Sequence, residues 1–69
     1  MNLKPVWIVQ SLDDGFFLMP LNGDVGYTQW LSEAGFFEEK QAAIDTAVDL
    51  LDGQFSISSF YVLADRLEK

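Results

Sequence analysis

Two short apolar runs open the chain, with a polar step between them. Val6 to Leu12 is rich in β-branched and aromatic residues and predicts a strand. Asp13-Asp14-Gly15 follows, and Phe16 to Leu21 predicts a second, antiparallel strand. Asp-Gly between apolar runs is a strong hairpin signal, because a type I′ turn needs positive φ at both central residues. Pro20 predicts that the far end of the second strand lies at a sheet edge. With the turn at Asp14-Gly15, Val6, Ile8, Leu12, Phe17, Met19 and Leu21 share one face, and Trp7, Val9, Phe16 and Leu18 share the other. Both faces are then apolar, and a single helix covers only one of them.

Asn22-Gly23-Asp24-Val25-Gly26 reads as a loop, since Gly, Asn and Asp favour turns. The stretch Tyr27 to Phe37 is mixed: Tyr27-Thr28-Gln29-Trp30 suits a short strand, and Leu31-Ser32-Glu33-Ala34 suits a helical turn ended by Gly35. The spacing then predicts a helix from Glu38 to Leu51. Glu38 and Glu39 suit its positive N-terminal end, and Gly53 suits its stop. Ala43, Ile44, Ala47, Val48, Leu50 and Leu51 fall on one broad side at i, i+3, i+4 spacing. Phe55 to Ala64 predicts a last strand, weakened by Ser56, Ser58 and Ser59, and Asp65 to Lys69 a polar tail. The expected fold is α+β and a single domain over residues 1–69: a small antiparallel sheet of three or four strands with one amphipathic helix on one face, in the order β-β-x-α-β.

Composition narrows the chemistry. The 69 residues carry 11 Asp+Glu against 4 Lys+Arg, a formal charge of −7, with no His and no Cys. A chain of this length buries only about 60 % of the surface its unfolded form exposes, so its core is small. Without Cys or His there is no disulfide, no thiolate or imidazole metal site, and no Ser-His-Asp or Cys-His nucleophile. No cofactor and no enzymatic activity are expected. Direct nucleic-acid binding is disfavoured, because it needs Lys and Arg to displace counterions from phosphates, and Lys4, Lys40, Arg66 and Lys69 are scattered. The same charge disfavours an anionic membrane and favours a basic protein partner. Pro5 to Val9 is shorter than a signal-peptide core, so no targeting segment is predicted and a cytoplasmic location is expected.

Several elements together resemble a loose class of short phage and prophage proteins. They are Val6-Trp7-Ile8-Val9, Asp14-Gly15-Phe16-Phe17-Leu18, Ala34-Gly35-Phe36-Phe37, Ala43 with Ala47, and Tyr61-Val62-Leu63. Every one of them is structural, so the resemblance assigns no functional residue. It implies a ββ-x-αβ fold and a mobile-element origin. By analogy, small acidic proteins of that origin resemble inhibitors of host defence or host nucleic-acid enzymes.

The sharpest chemical feature is acidic. Glu38, Asp45, Asp49 and Asp52 are expected on one side of the helix, with Gln41 beside them and the apolar residues opposite. At 1.5 Å rise per residue these acids recur at about 5 or 10 Å, a scale comparable to phosphates along a strand. Asp13, Asp14 and Asp24 are possible additions. The plainer reading is a solvated face that keeps an apolar protein soluble. The second feature is aromatic: Trp 2, Tyr 2 and Phe 6 exceed what one helix on one sheet face can hide. Trp7, Phe16 and Tyr61 are the candidates for an exposed sheet-face interface, depending on which face the helix covers. Asp13, Asp14 and Asp24 do not match the spacing of a calcium loop.

Two functions follow. The first is a non-enzymatic acidic interaction module, a phage-type inhibitor that mimics nucleic acid and blocks a basic surface of a host nucleic-acid-handling or defence protein. The alternative is a structural module that forms a homodimer through an aromatic sheet face, its acids only solubilising it.

Overall fold

The computed structural model describes residues 2–63. Four antiparallel strands form one sheet: β1 (Leu3–Ser11), β2 (Phe17–Leu21), β3 (Asp24–Thr28) and β4 (Phe55–Leu63). A 3-10 turn at Leu31–Glu33 and one helix, α1 (Lys40–Leu51), separate β3 from β4. The spatial order is β3-β2-β1-β4, with the first and last long strands side by side at the centre and one edge. This is the α+β arrangement expected from the sequence, with four strands. The expected end of the last strand at Ala64 and the polar tail Asp65 to Lys69 lie outside the described residues.

The two hairpins exchange the turn chemistry that the sequence suggests. Only Gly15 has positive φ in the first turn (79°), so Asp14-Gly15 is not a type I′ pair. The loop is instead the four residues Leu12 to Gly15, closed by Gly15 N–H to Ser11 O (2.9 Å) and Ser11 N–H to Phe16 O (2.8 Å). The Asp14 side chain accepts the Phe16 N–H at 3.0 Å, which holds the turn from within. The true two-residue turn is Asn22-Gly23, with φ of 52° and 81° and Leu21 facing Asp24. What reads as a loop is therefore a tight hairpin followed by β3.

β1 pairs with β4 over nine consecutive positions, Leu3 with Leu63 through Ser11 with Phe55. Its ladder with β2 is short and centres on Gln10 and Phe17. Beyond that point the two strands diverge, and the segment Gly35 to Phe37 enters the gap. Trp7 N–H donates to Phe37 O (2.9 Å), Phe37 N–H donates to Trp7 O (2.8 Å), and Gly35 N–H donates to Leu18 O (2.9 Å). This explains Pro20. β2 is an inner strand by order, but Leu21 and Asp24 close a two-residue turn, so Pro20 turns its missing N–H away from β3 into that gap. A Cβ on Gly35 would stand 2.7 Å from Pro20 Cδ, so only glycine fits there.

The helix covers the face of Trp7, Val9 and Leu18. Val9, Ala43 and Ala47 are 0 % exposed and form the core with Leu18, with Trp7, Phe37, Leu51, Phe55 and Ile57 packed around them. Alanine at i and i+4 lets the helix axis approach the sheet closely. The contact is a narrow seam and not the broad side expected: Val48 and Leu50 are exposed. The expected two-face grouping holds along the strands. Leu12 and Phe16 leave it, because they sit in or beside the four-residue turn and are exposed.

Candidate functional site

The helix starts at Lys40 with Glu39 at its N-cap, so Glu38 precedes it and does not project from its side. Glu38 Oε1 instead meets Lys4 Nζ at 3.3 Å across the end of β1. Both side chains are about half exposed, at 50 % and 53 %, so the pair contributes at most about 1 kcal/mol. The expected row of four acids is thereby reduced to three, two on the helix and one at its C-cap.

Those three are Asp45, Asp49 and Asp52, all exposed. Gln41 Nε2 donates to Asp45 Oδ1 at 2.9 Å, which orients that carboxylate one turn along the helix. Asp52 is the C-cap. It adopts the left-handed conformation (φ 49°), and its N–H reaches Val48 O at 3.2 Å. Aspartate is one of the few non-glycine residues that tolerates this geometry, and Gly53 continues it with φ 86°. The sharp end carries the chain into β4 and leaves the Asp52 carboxylate at the helix terminus.

That terminus lies beside the β1–β2 turn. An open hollow of about 500 Å³ is lined by Asp13, Asp14 and Asp52, with Tyr27 from β3 and Leu50 from the helix. Two segments far apart in sequence thus bring carboxylates to the rim of one depression, to which β3 adds an aromatic wall and the helix an aliphatic one. Asp13 and Asp14 are held by the turn itself: Asp13 N–H donates to Ser11 Oγ (3.3 Å). Among the described residues, no three acidic side chains converge closely enough to hold a metal ion. Asp24 is elsewhere, at the start of β3, where its Oδ1 accepts the Val25 N–H (2.8 Å).

A second hollow, of about 480 Å³, lies between the β2–β3 hairpin and the Glu33 to Phe37 segment. Its walls are apolar, chiefly Met19, Pro20, Val25 and Phe36. Its two carboxylates already accept hydrogen bonds from the chain: Asp24 from Val25, and Glu33 Oε1 from Thr28 Oγ1 at 2.9 Å.

The three aromatic candidates do not share one patch. Trp7 is half-buried under the helix. Tyr61 is 70 % exposed and faces Pro5 at one end of the sheet. Phe16 is exposed beside Ser11 at the other end. Six residue steps along β1 separate these ends, roughly 20 Å at about 3.4 Å per residue. Sequence reasoning missed Trp30, which is 58 % exposed, and Phe36, because both sit in the irregular segment where no periodicity marks a face.

Among the described residues, no helix is long and apolar enough to cross a membrane. No family model, curated protein or solved structure matches the chain. Fold and site together define a small acidic α+β protein with three aspartates, Asp13, Asp14 and Asp52, lining an open hollow at one end of its helix.

Proposed function

We propose that the protein is a non-enzymatic interaction module that offers carboxylates to a basic protein surface, in the manner of a phage-type inhibitor that mimics nucleic acid. The observation that carries this reading is the hollow at the helix C-terminus, whose lining includes Asp52, Asp13 and Asp14 together with Tyr27 and Leu50. Asp49 and Asp45 extend the same charge back along the helix at steps of about 4.5 to 6 Å. Rows of charge at that spacing fit Lys and Arg side chains arranged to receive phosphates, and the hollow gives an Arg stem apolar walls to lie against. Opposite charge steers the encounter, and occupation of the groove then excludes nucleic acid by sterics. The helix C-terminus carries a partial negative charge that adds to Asp52. A host nucleic-acid-handling or defence protein in the cytoplasm is the partner class.

Affinity capture from lysate at low salt, followed by competition with duplex DNA, tests the reading. The expected partner elutes as salt rises and is displaced by DNA. The variant D45K/D49K is expected to lose the partner while keeping its circular dichroism spectrum, and D13N/D52N to weaken it at least tenfold. Normal binding by both variants would remove the acidic face from the mechanism.

A further inference from the structure

β4 is an edge strand that lacks the short length, charge and proline by which natural edges are blunted. It runs nine residues, Phe55–Leu63, with no charge, no proline and no break in its register with β1. Among the described residues no strand or bridge lies outside it. Antiparallel ladders alternate hydrogen-bonded and open pairs, and two observations fix which is which. Leu12 N–H donates to Gln54 O (3.0 Å), continuing the β1–β4 register by one step. Trp7 turns both its backbone groups to Phe37, away from β4. The even residues of β4 therefore bond to β1. Phe55, Ile57, Ser59, Tyr61 and Leu63 turn their N–H and C=O groups outward.

We propose that β4 pairs antiparallel with β4 of a second copy, giving one continuous eight-stranded sheet with a two-fold axis at Ser59. Ser59 is the midpoint of the strand, so the outward residues are symmetric about it. In this register Ser59 exchanges bonds with Ser59, Ile57 with Tyr61, and Phe55 with Leu63 of the second copy. Every outward backbone group of the strand finds a partner. Tyr61, the most exposed large apolar side chain among the described residues, comes to lie against a β-branched neighbour, a favourable cross-strand pair. Ser58 and Ser59 keep the centre of the edge free of bulk and charge. A second copy fits better than a charged peptide, because β4 offers no charge to recognise one. The interface is at the low end of specific contact areas, below about 1,200 Å², so a weak dimer is expected. Each copy carries −7, and this charge opposes pairing at low salt.

Sedimentation equilibrium of the full chain, from about 10 μM to 1 mM at about 0.05 M and about 0.5 M NaCl, tests the proposal. The expected result is a monomer–dimer equilibrium that tightens several-fold with salt, opposite in sign to the binding of a basic partner. Amide exchange by NMR identifies the surface. In the dimer, Ile57, Ser59 and Tyr61 become protected, whereas in dilute monomer only their even neighbours are. Ser59→Lys places two cations on the axis and is expected to abolish the dimer. Ser59→Pro removes an outward N–H that β1 does not use, and is expected to do the same. A chain that stays monomeric at 1 mM in high salt overturns the proposal. So does a dimer in which the Ile57, Ser59 and Tyr61 amides still exchange freely, or one that Ser59→Lys leaves intact.

Discussion

β3 and β4 both end the sheet, and they differ in length, charge and the treatment of their outward backbone groups. β3 has five residues and begins with Asp24, whose carboxylate accepts the Val25 N–H on the outer side. Its end is closed by Thr28, whose Oγ1 accepts the Trp30 N–H at 3.1 Å and donates to Glu33. β4 has nine residues, and no side-chain hydrogen bond to its backbone occurs among the described residues. Short length and charge are standard means of blunting an edge, and this sheet applies them to one side only. The contrast runs deeper into the fold. β4 belongs to the half that the helix covers, joined to β1 by a full ladder. β3 belongs to a hairpin that reaches the rest through a short ladder, one core leucine and the Gly35 to Phe37 segment. The guarded edge is thus on the loosely attached half, and the open edge on the firmly attached one.

The largest effect is expected from cutting the attachment of the β2–β3 hairpin. Leu18 is the β2 residue in the core, 2 % exposed, against Val9, Ala43 and Ala47. Leu18→Ala is expected to cost about 2–5 kcal/mol. A domain of this size has roughly 3–10 kcal/mol in total at the usual stability per residue, so urea denaturation should find the variant largely unfolded or with its midpoint sharply lowered. A loss under about 1 kcal/mol would mean that the hairpin is held by its backbone bonds and not by this side chain.

A smaller effect is expected from the wedge. Gly35→Val puts a Cβ 2.7 Å from Pro20 Cδ and 3.5 Å from Met19 Cα. The proline ring is fixed to the backbone and cannot swing aside, so the segment must back out of the gap. The expected cost is about 1–3 kcal/mol, with faster exchange of the Phe37 amide and little change at Ile8, which faces β4. Equal loosening on both sides of β1 would mean that the two halves unfold together.

This asymmetry also explains what the sequence could and could not show. The strands around Trp7 and Phe17, the helix and the β4 strand were legible, because each carries its own period, turn or stop within a short window. Asn22-Gly23 carried the signal for a hairpin, but Asp24 and Gly26 just after it masked β3 as loop. The pairing of Trp7 with Phe37 was not legible: the residues are far apart and nothing local marks Phe37 as an extended partner. The acids divide in the same way. Asp45 and Asp49 were readable as one exposed helix side, whereas the placing of Asp52 on the same hollow as Asp13 and Asp14 depends on where the first turn folds back. Glu38 followed from extending the helix two residues too far.

The smallest effect is the sharpest test of the guarded edge. Asp24→Ala removes the carboxylate that accepts the Val25 N–H and leaves the Asn22-Gly23 turn and the β2 pairing in place. The bond is exposed, so global stability should fall by only about 0.5 kcal/mol. Val25 amide exchange should nevertheless quicken clearly, while Gly26, which faces Met19 on β2, stays protected. Self-association through β3 is not expected even then, because only Val25 and Tyr27 turn outward on so short a strand. If the variant does associate through β3, charge at Asp24 is the guard and length is secondary. If Val25 exchange is unchanged, the carboxylate does not hold that N–H in solution, and shortness alone distinguishes β3 from β4.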